Sequence, residues 1–217
     1  YVRVNKVQFG ETTGLADGVL TVNREELMDM VDCLEDSARI FADNLPFDVI
    51  TFGCTSGSLV GGSGFDQKCI ERIEKTCGYP GLTTSTSLLD AFRALGTSSA
   101  AVVTPYPDDT NVLEKKFLED NGIRVTTIKG MTSDRCTLDE LSDRPYDIYQ
   151  HVKALDLTGA ESIFISCTGM NALDIISTIE TDFGLPVLTS NQVTLWGALR
   201  KARVGDKIPY LGKLFTI

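Results

Sequence analysis

The sequence has very little histidine: His151 is the only one in 217 residues. A hydrolase built on a cysteine–histidine pair needs an imidazole beside its thiol. His151 instead falls inside Ile148-Tyr149-Gln150-His151-Val152-Lys153, which reads as the middle of a surface helix. One histidine and no C-x-x-C spacing also argue against a zinc site. Positive charge is short as well. Lys and Arg number 20 against 30 Asp and Glu, a formal charge of −10, and no basic run exists to release counterions from a nucleic acid. That balance leaves a small anionic substrate open, because local dipoles govern a site. No stretch approaches the roughly 18–20 apolar residues of a membrane span. The Gly61-Gly62-Ser63-Gly64 run fits neither a Walker loop nor a dinucleotide fingerprint. It reads as a flexible loop over a site, and no nucleotide cofactor is expected. The opening Tyr1-Val2-Arg3-Val4-Asn5 reads as a strand in progress and not as a signal peptide.

What is present is a core-forming chain with hydrophobic residues at 42%. Six cysteines, Cys33, Cys54, Cys69, Cys77, Cys136 and Cys167, lack the dense spacing of a small disulfide scaffold. The expectation is a cytoplasmic protein with reduced thiols. Cys33 reads as a core residue of a helix, and Cys69, Cys77 and Cys136 as structural or incidental.

Strand and helix signals alternate along the chain. Val2–Phe9, Phe47–Phe52, Leu82–Thr84, Ser99–Thr104, Ile123–Ile128, Ser162–Ser166 and Pro186–Thr189 read as strands. Helices are expected over Asn23–Ala42 with Asn23 as cap, Phe65–Cys77, Ser85–Leu95, Asp108–Asn121, Tyr146–Leu157, Asn171–Phe183 and Asn191–Ala202. Gly10–Gly18 reads as a loop, and Lys129–Pro145 as polar and irregular. Such alternation predicts an α/β fold with parallel sheets.

The pattern is also duplicated. Phe47-Asp48-Val49-Ile50-Thr51-Phe52-Gly53-Cys54-Thr55 resembles Ser162-Ile163-Phe164-Ile165-Ser166-Cys167-Thr168. Each is a strand running into Cys-Thr, a small-residue turn and a helix. Two similar lobes follow, with a site between them: residues 1–95 with 190–217, and residues 96–189. Ligands of open parallel sheets sit beyond the carboxyl ends of strands, where helices begin. Both cysteines lie there. Free amides and the helix dipole at that place favour an anion and a thiolate, drawing a thiol pKa from about 8.5 toward about 3.5–7.5. Thr55, Ser56 and Thr168 add hydroxyl donors able to hold a carboxylate or an enolate-like intermediate. A strand-end cysteine taken singly is more often packing; two in matching turns point to catalysis.

Four segments then occur in order: Gly53-Cys54-Thr55-Ser56-Gly57, Thr104-Pro105-Tyr106-Pro107-Asp108-Asp109-Thr110-Asn111, Ser166-Cys167-Thr168-Gly169-Met170, and Pro186-Val187-Leu188-Thr189-Ser190-Asn191-Gln192. Together they resemble the aspartate/glutamate racemase superfamily, in its branch of maleate cis-trans isomerases, arylmalonate decarboxylases and ectoine-utilisation proteins. The tail Ile208-Pro209-Tyr210-Leu211-Gly212-Lys213-Leu214 resembles the ectoine-utilisation relatives. The resemblance implies two Rossmann-like lobes with parallel sheets, related by a pseudo-two-fold with the active site between them, and a cofactor-independent enzyme with one catalytic cysteine per lobe, Cys54 and Cys167. It implies substrate binding by Thr55, Ser56, Tyr106 and Thr168. Arg135, in a stretch where maleate isomerases tend to carry Asn, is read as a partner for a distal carboxylate. Relatives that decarboxylate carry Gly where Cys54 stands. Both thiols here therefore favour isomerisation or racemisation of a small mono- or dicarboxylate, most nearly maleate isomerisation. A decarboxylase working through an enediolate, a non-catalytic carboxylate-binding relative and a redox pair are the alternatives. The partners expected are a small carboxylate and, for self-association, further copies of the chain, with no nucleic acid and no membrane. The chain begins in what reads as the second strand of the family pattern.

Overall fold

The computed structural model describes residues 15–16, 19–20, 24–42, 46–131 and 144–217. The expected strand Val2–Phe9, the cap Asn23, Arg135 and Cys136 lie outside them.

The strongest strand signals fold as parallel sheet. In β5 (Ser99–Thr104) all six residues are buried. Its side chains alternate between two cores: Ala100 and Val102 face one, with Phe92, Phe117, Phe164 and Trp196, and Ala101 and Val103 face the other, with Ile148, Ile163, Ile165 and Ile179. Burial on both faces explains why the run is apolar throughout and does not alternate with polar residues. β6 (Arg124–Gly130), β7 (Ser162–Ile165) and β8 (Val187–Thr189) join β5 in the order β6-β5-β7-β8, every pair parallel. A second parallel sheet pairs β3 (Ile50–Phe52) with β4 (Gly81–Thr83), over a third core of Leu27, Met30, Val31, Phe52, Cys69 and Ile73. At about 1.5–3 kcal/mol for each large apolar side chain buried, these cores outweigh any single polar contact.

Three strands end in one way. β3 runs into Cys54, β4 into Thr83 and β8 into Thr189, each extended and each capping a helix with its side chain. The helices are α3 (Thr55–Leu59), α5 (Thr84–Leu95) and α9 (Ser190–Lys201). Thr189 and Gln192 complete a capping box. Helices α5 and α9 pack closely. A Cβ on Gly197 would stand 2.4 Å from the Ser87 hydroxyl, and Thr194 Oγ1 donates to Thr84 Oγ1 at 2.9 Å.

The remaining helices among the described residues are α1 (Arg24–Asp32), α2 (Leu34–Ala42), α4 (Phe65–Cys77), α6 (Asp108–Asp120), α7 (Pro145–Lys153) and α8 (Ile176–Phe183). Several expectations shift. The span Asn23–Ala42 holds two helices, divided at half-buried Cys33, whose N–H bonds the Met30 carbonyl three residues back. Gly10–Gly18 contributes to a two-stranded antiparallel ladder, β1 (Leu15–Ala16) with β2 (Val19–Leu20). The start of Asn171–Phe183 is a 3₁₀ turn, Leu173–Ile175. Gly61–Gly64 is a folded turn between α3 and α4 and not a loose loop. Gly62 and Gly64 take φ of +83° and +78°, which glycine adopts without strain, and Gly62 N–H bonds the Leu59 carbonyl. The tail packs Leu211, Leu214 and Phe215 into the core, and Trp196 lies there with Arg200 over its ring. His151 sits half-buried on α7. No helix among the described residues is long and apolar enough to cross a membrane.

Candidate active site

Both cysteine turns are built by backbone donors. Cys54 has extended dihedrals and caps α3, and its sulfur accepts the Gly57 N–H at 3.3 Å. The Ser56 hydroxyl lies 3.8 Å from the same sulfur. Cys167 follows β7 and takes φ +95°, a region that residues with a Cβ enter only at a cost. Its sulfur accepts the Gly169 N–H at 3.3 Å. The chain beyond it is pinned by Asn191, whose amide donates to the carbonyls of Thr168 and Met170 at 3.1 and 3.2 Å.

One hydroxyl ties the turns together. Ser190, the first residue of α9, accepts the Cys167 N–H at 2.9 Å and the Thr55 hydroxyl at 2.8 Å. Thr168 adds a second tie, its hydroxyl donating to the Gly53 carbonyl at 3.1 Å. The Thr55 hydroxyl is thus engaged inside the scaffold. Its backbone N–H, like that of Ser56, stands in the first turn of α3, where a helix leaves its amides without intrahelical acceptors.

Tyr106 is placed by its own motif. Asn111 accepts from the Thr104 hydroxyl at 2.5 Å and donates to the Tyr106 carbonyl at 3.1 Å. The Tyr106 N–H donates to Thr104 Oγ1 at 3.1 Å. Gly130 must be glycine here, since a Cβ would lie 2.5 Å from the Tyr106 carbonyl oxygen. The Tyr106 phenol is buried with Cys167 in one cluster, and its hydroxyl has no formed hydrogen bond among the described residues. It lies near enough to Cys167 to favour a thiolate there.

The electrostatics correct one expectation. The amide donors stand where the sequence placed them, but burial outweighs them. It raises the Cys54 thiol, against the Gly57 N–H and the Ser56 hydroxyl. It raises Cys167 to about 11, against the Gly169 N–H and the Tyr106 hydroxyl. Both cysteines are thiols at neutral pH in this arrangement. Burial, then the neighbouring Cys167, Glu114 and Cys54, push the Tyr106 phenol well above its usual range.

The structure therefore brings Cys54, Thr55, Ser56, Tyr106, Cys167 and Thr168 to one place, while Arg135 lies outside the described residues. Sequence reasoning missed Ser190, Asn111 and Glu114. Glu114 sits on α6 with no exposed surface and accepts from the Ser166 hydroxyl at 2.6 Å. The five cysteines among the described residues are free thiols, and no cluster of metal-ligating side chains occurs among those residues.

The sequence matches the model of the arylmalonate decarboxylase family over residues 5–215. The chain belongs to that family. It is an enzyme of the maleate isomerase and arylmalonate decarboxylase branch of the Asp/Glu racemase-like superfamily. It is 31% identical to the arylmalonate decarboxylase of Bordetella bronchiseptica over 177 residues, 77% of this chain and 70% of that one. It is 27% identical to the maleate isomerase of Geobacillus stearothermophilus over 207 residues, 91% of this chain and 80% of that one. The fold matches a mutant Nocardia farcinica maleate cis-trans isomerase carrying a covalently bound succinylcysteine intermediate. There the TM-score is 0.84 at 23% identity, over 90% of this chain and 81% of that one. This family member thus shares the α/β architecture of both enzyme types.

Proposed function

We propose that the protein is a cofactor-independent isomerase of a small dicarboxylate, with maleate-to-fumarate conversion its nearest reaction, working through Cys54 and Cys167. The observation that carries this reading is the pair of matched thiols, each receiving one backbone N–H at 3.3 Å and both turns tied to Ser190. The site lies between the lobes of residues 1–95 with 190–217 and residues 96–189, each supplying one cysteine. One substrate carboxylate meets the first-turn amides of Thr55 and Ser56, and the other the Thr168 and Tyr106 side, with Arg135 as a further partner.

The Cys54 sulfur adds to one alkene carbon and the π pair moves onto the carboxylate as an enediolate. The other alkene carbon takes a proton from the Cys167 thiol while the proton released by the Cys54 thiol passes to the Cys167 sulfur, and both transfers reverse when the adduct collapses. The carbon–carbon bond, now single, rotates. Cys167 removes the added proton, the carbon–sulfur bond breaks, and the trans alkene leaves with no net change in protons. The succinylcysteine named for the Nocardia farcinica enzyme is the adduct such a step produces. Thiols kept protonated by burial suit the acid role of Cys167.

A second reading is favoured by the family match itself. Decarboxylation of an arylmalonate also passes through an enediolate, and Cys167 would protonate it. Proton NMR in D2O decides between them, with maleate, aspartate, glutamate and phenylmalonate offered to the wild type, Cys54→Ala and Cys167→Ala. Fumarate from maleate, lost in either variant, supports the isomerase. Deuterated phenylacetate from phenylmalonate, lost only in Cys167→Ala, supports the decarboxylase. Neither product from reduced, folded protein would overturn both.

A further inference from the structure

Of the buried ionisable groups that the mechanism above leaves unused, Glu114 lies beside a cysteine turn. Glu114 projects from α6 toward the end of β7, wholly buried. One carboxyl oxygen receives the Ser166 hydroxyl at 2.6 Å, and Ser166 immediately precedes Cys167. The other is buried with no hydrogen-bond partner among the described residues. Among the described residues no cation offsets it: the groups there whose titration it influences are Tyr106 and Cys167, both acids. A core that needed only a bridge from α6 to β7 would be served by an amide or a hydroxyl. An unpaired carboxyl costs several kcal/mol when ionised in such a place.

We propose that Glu114 is a positioning residue for Cys167. Its carboxyl holds Ser166 at the strand end, and its charge, when present, adds to the burial that opposes release of the Cys167 proton. As a neutral acid, Glu114 leaves the Cys167 and Tyr106 region able to accept negative charge. As a carboxylate it opposes a Cys167 thiolate and keeps that thiol protonated. Burial lifts the acid to about 7, with the Ser166 bond opposing, so both states are reached near neutrality. The groups facing it are Ser166 on β7's end, Tyr106 ahead of α6 and Cys167, with Cys54 beyond, adding its charge to the same two acids.

The proposal rests on Cys167 being an acid–base group, so the test reads Cys167 itself and not turnover. Iodoacetamide labelling is followed by peptide mass spectrometry from pH 6 to 9.5 in the wild type, Glu114→Gln and Ser166→Ala. Half-buried Cys77, whose sulfur donates to the Ile73 carbonyl, is the internal reference. In Glu114→Gln the like charge is gone and the hydrogen bond from Ser166 is kept. Cys167 labelling at pH 8.5 should rise about tenfold, the effect of one pKa unit, with Cys77 unchanged. The side-chain carboxyl ¹³C resonance of Glu114, assigned through its own bonds in ¹³C-labelled wild type, should titrate near 7. It should move upward in Ser166→Ala, which removes a bond that favours the carboxylate. Equal Cys167 profiles in wild type and Glu114→Gln, or equal acceleration at Cys77, would overturn the proposal. So would a Glu114 midpoint that Ser166→Ala leaves in place, a readout that stands even where the glutamine variant does not fold.

Discussion

Ser190→Ala is the sharpest probe of how the two cysteine turns are joined. The hydroxyl is fully buried and accepts two hydrogen bonds, from the Cys167 N–H at 2.9 Å and the Thr55 hydroxyl at 2.8 Å. Alanine removes the acceptor and leaves both donors buried. Each unsatisfied donor costs about 1–3 kcal/mol, and the Thr55 hydroxyl can rotate to recover part of its loss. The sum is about 3 kcal/mol. For a chain of this size each kcal/mol lowers Tm by about 2–4 °C, so the expected fall is about 6–12 °C in thermal denaturation followed by circular dichroism. Turnover should fall further than stability alone explains. Cys167 sits at φ +95° and, without the acceptor, can relax toward an unstrained backbone that re-aims its sulfur. Assaying well below the transition separates the two effects. A variant within about 1 °C of wild type would refute the reasoning, because both donors would then have found other acceptors at no cost.

Three further outcomes follow from the same geometry. Gly57→Ala would place a Cβ 2.2 Å from the Met30 terminal methyl and 3.1 Å from the Cys54 sulfur; a loss of about 1–3 kcal/mol in denaturant unfolding and a changed Cys54 labelling rate are expected. Asn111→Ala removes the acceptor for Thr104 and the donor to the Tyr106 carbonyl. About 2 kcal/mol of stability should go, with kcat/KM falling as Tyr106 loses its place. Glu114 gives a pH signature: its folded value of about 7 stands above the ordinary 4.5, so between them the unfolded chain ionises first and stability falls as pH rises. The effect is about 3 kcal/mol between pH 4.5 and 7, and Glu114→Gln should flatten that part of the Tm-against-pH curve.

The sequence was legible where local chemistry and burial agree. Ser99–Thr104 and Phe65–Cys77 have the expected bounds because an apolar run and a capped amphipathic run each admit one answer. The division of Asn23–Ala42 was not legible, because neither Gly nor Pro marks Cys33, and a single tightened bond to Met30 makes the break. The two cysteines showed through repetition of their turns. Ser190 did not, though its place after Thr189 repeats that of Thr84 after Thr83. Its role is to accept from two distant segments, and no local pattern records that. Glu114 left a signal of another kind. Thr110, Glu114, Phe117 and Leu118 fall at spacings that share one helix face, and all are buried. A charged residue on the apolar face of a helix is the observation from which its burial follows. The thiol states failed for a reason of magnitude: the amide donors are real, but removal from water opposes the charge more strongly than one N–H supports it.

The two turns, alike in sequence, are unlike in backbone, and the difference matches the separate roles proposed for their cysteines. Cys54 has φ −139°, ordinary extended geometry, and its chain enters a helix at once. Nothing beyond the cap is needed to hold it, and the sulfur proposed to form and break a bond to carbon tolerates such latitude. Cys167 occupies a region costing about 1–3 kcal/mol for a residue with a Cβ, and four contacts oppose its relaxation: the Ser190 acceptor, the two Asn191 donations and the Gly169 N–H. Asn191 and Ser190 are neighbours at the start of α9, whose capping box fixes both. The strain is thus supported from a helix that also packs on α5. A fold spends stability in this way where one atom's position matters more than the local backbone. The sulfur so held is the one buried beside Tyr106 and near Glu114, which suits a group that must deliver a proton to one face of a carbon and take it back from the same point.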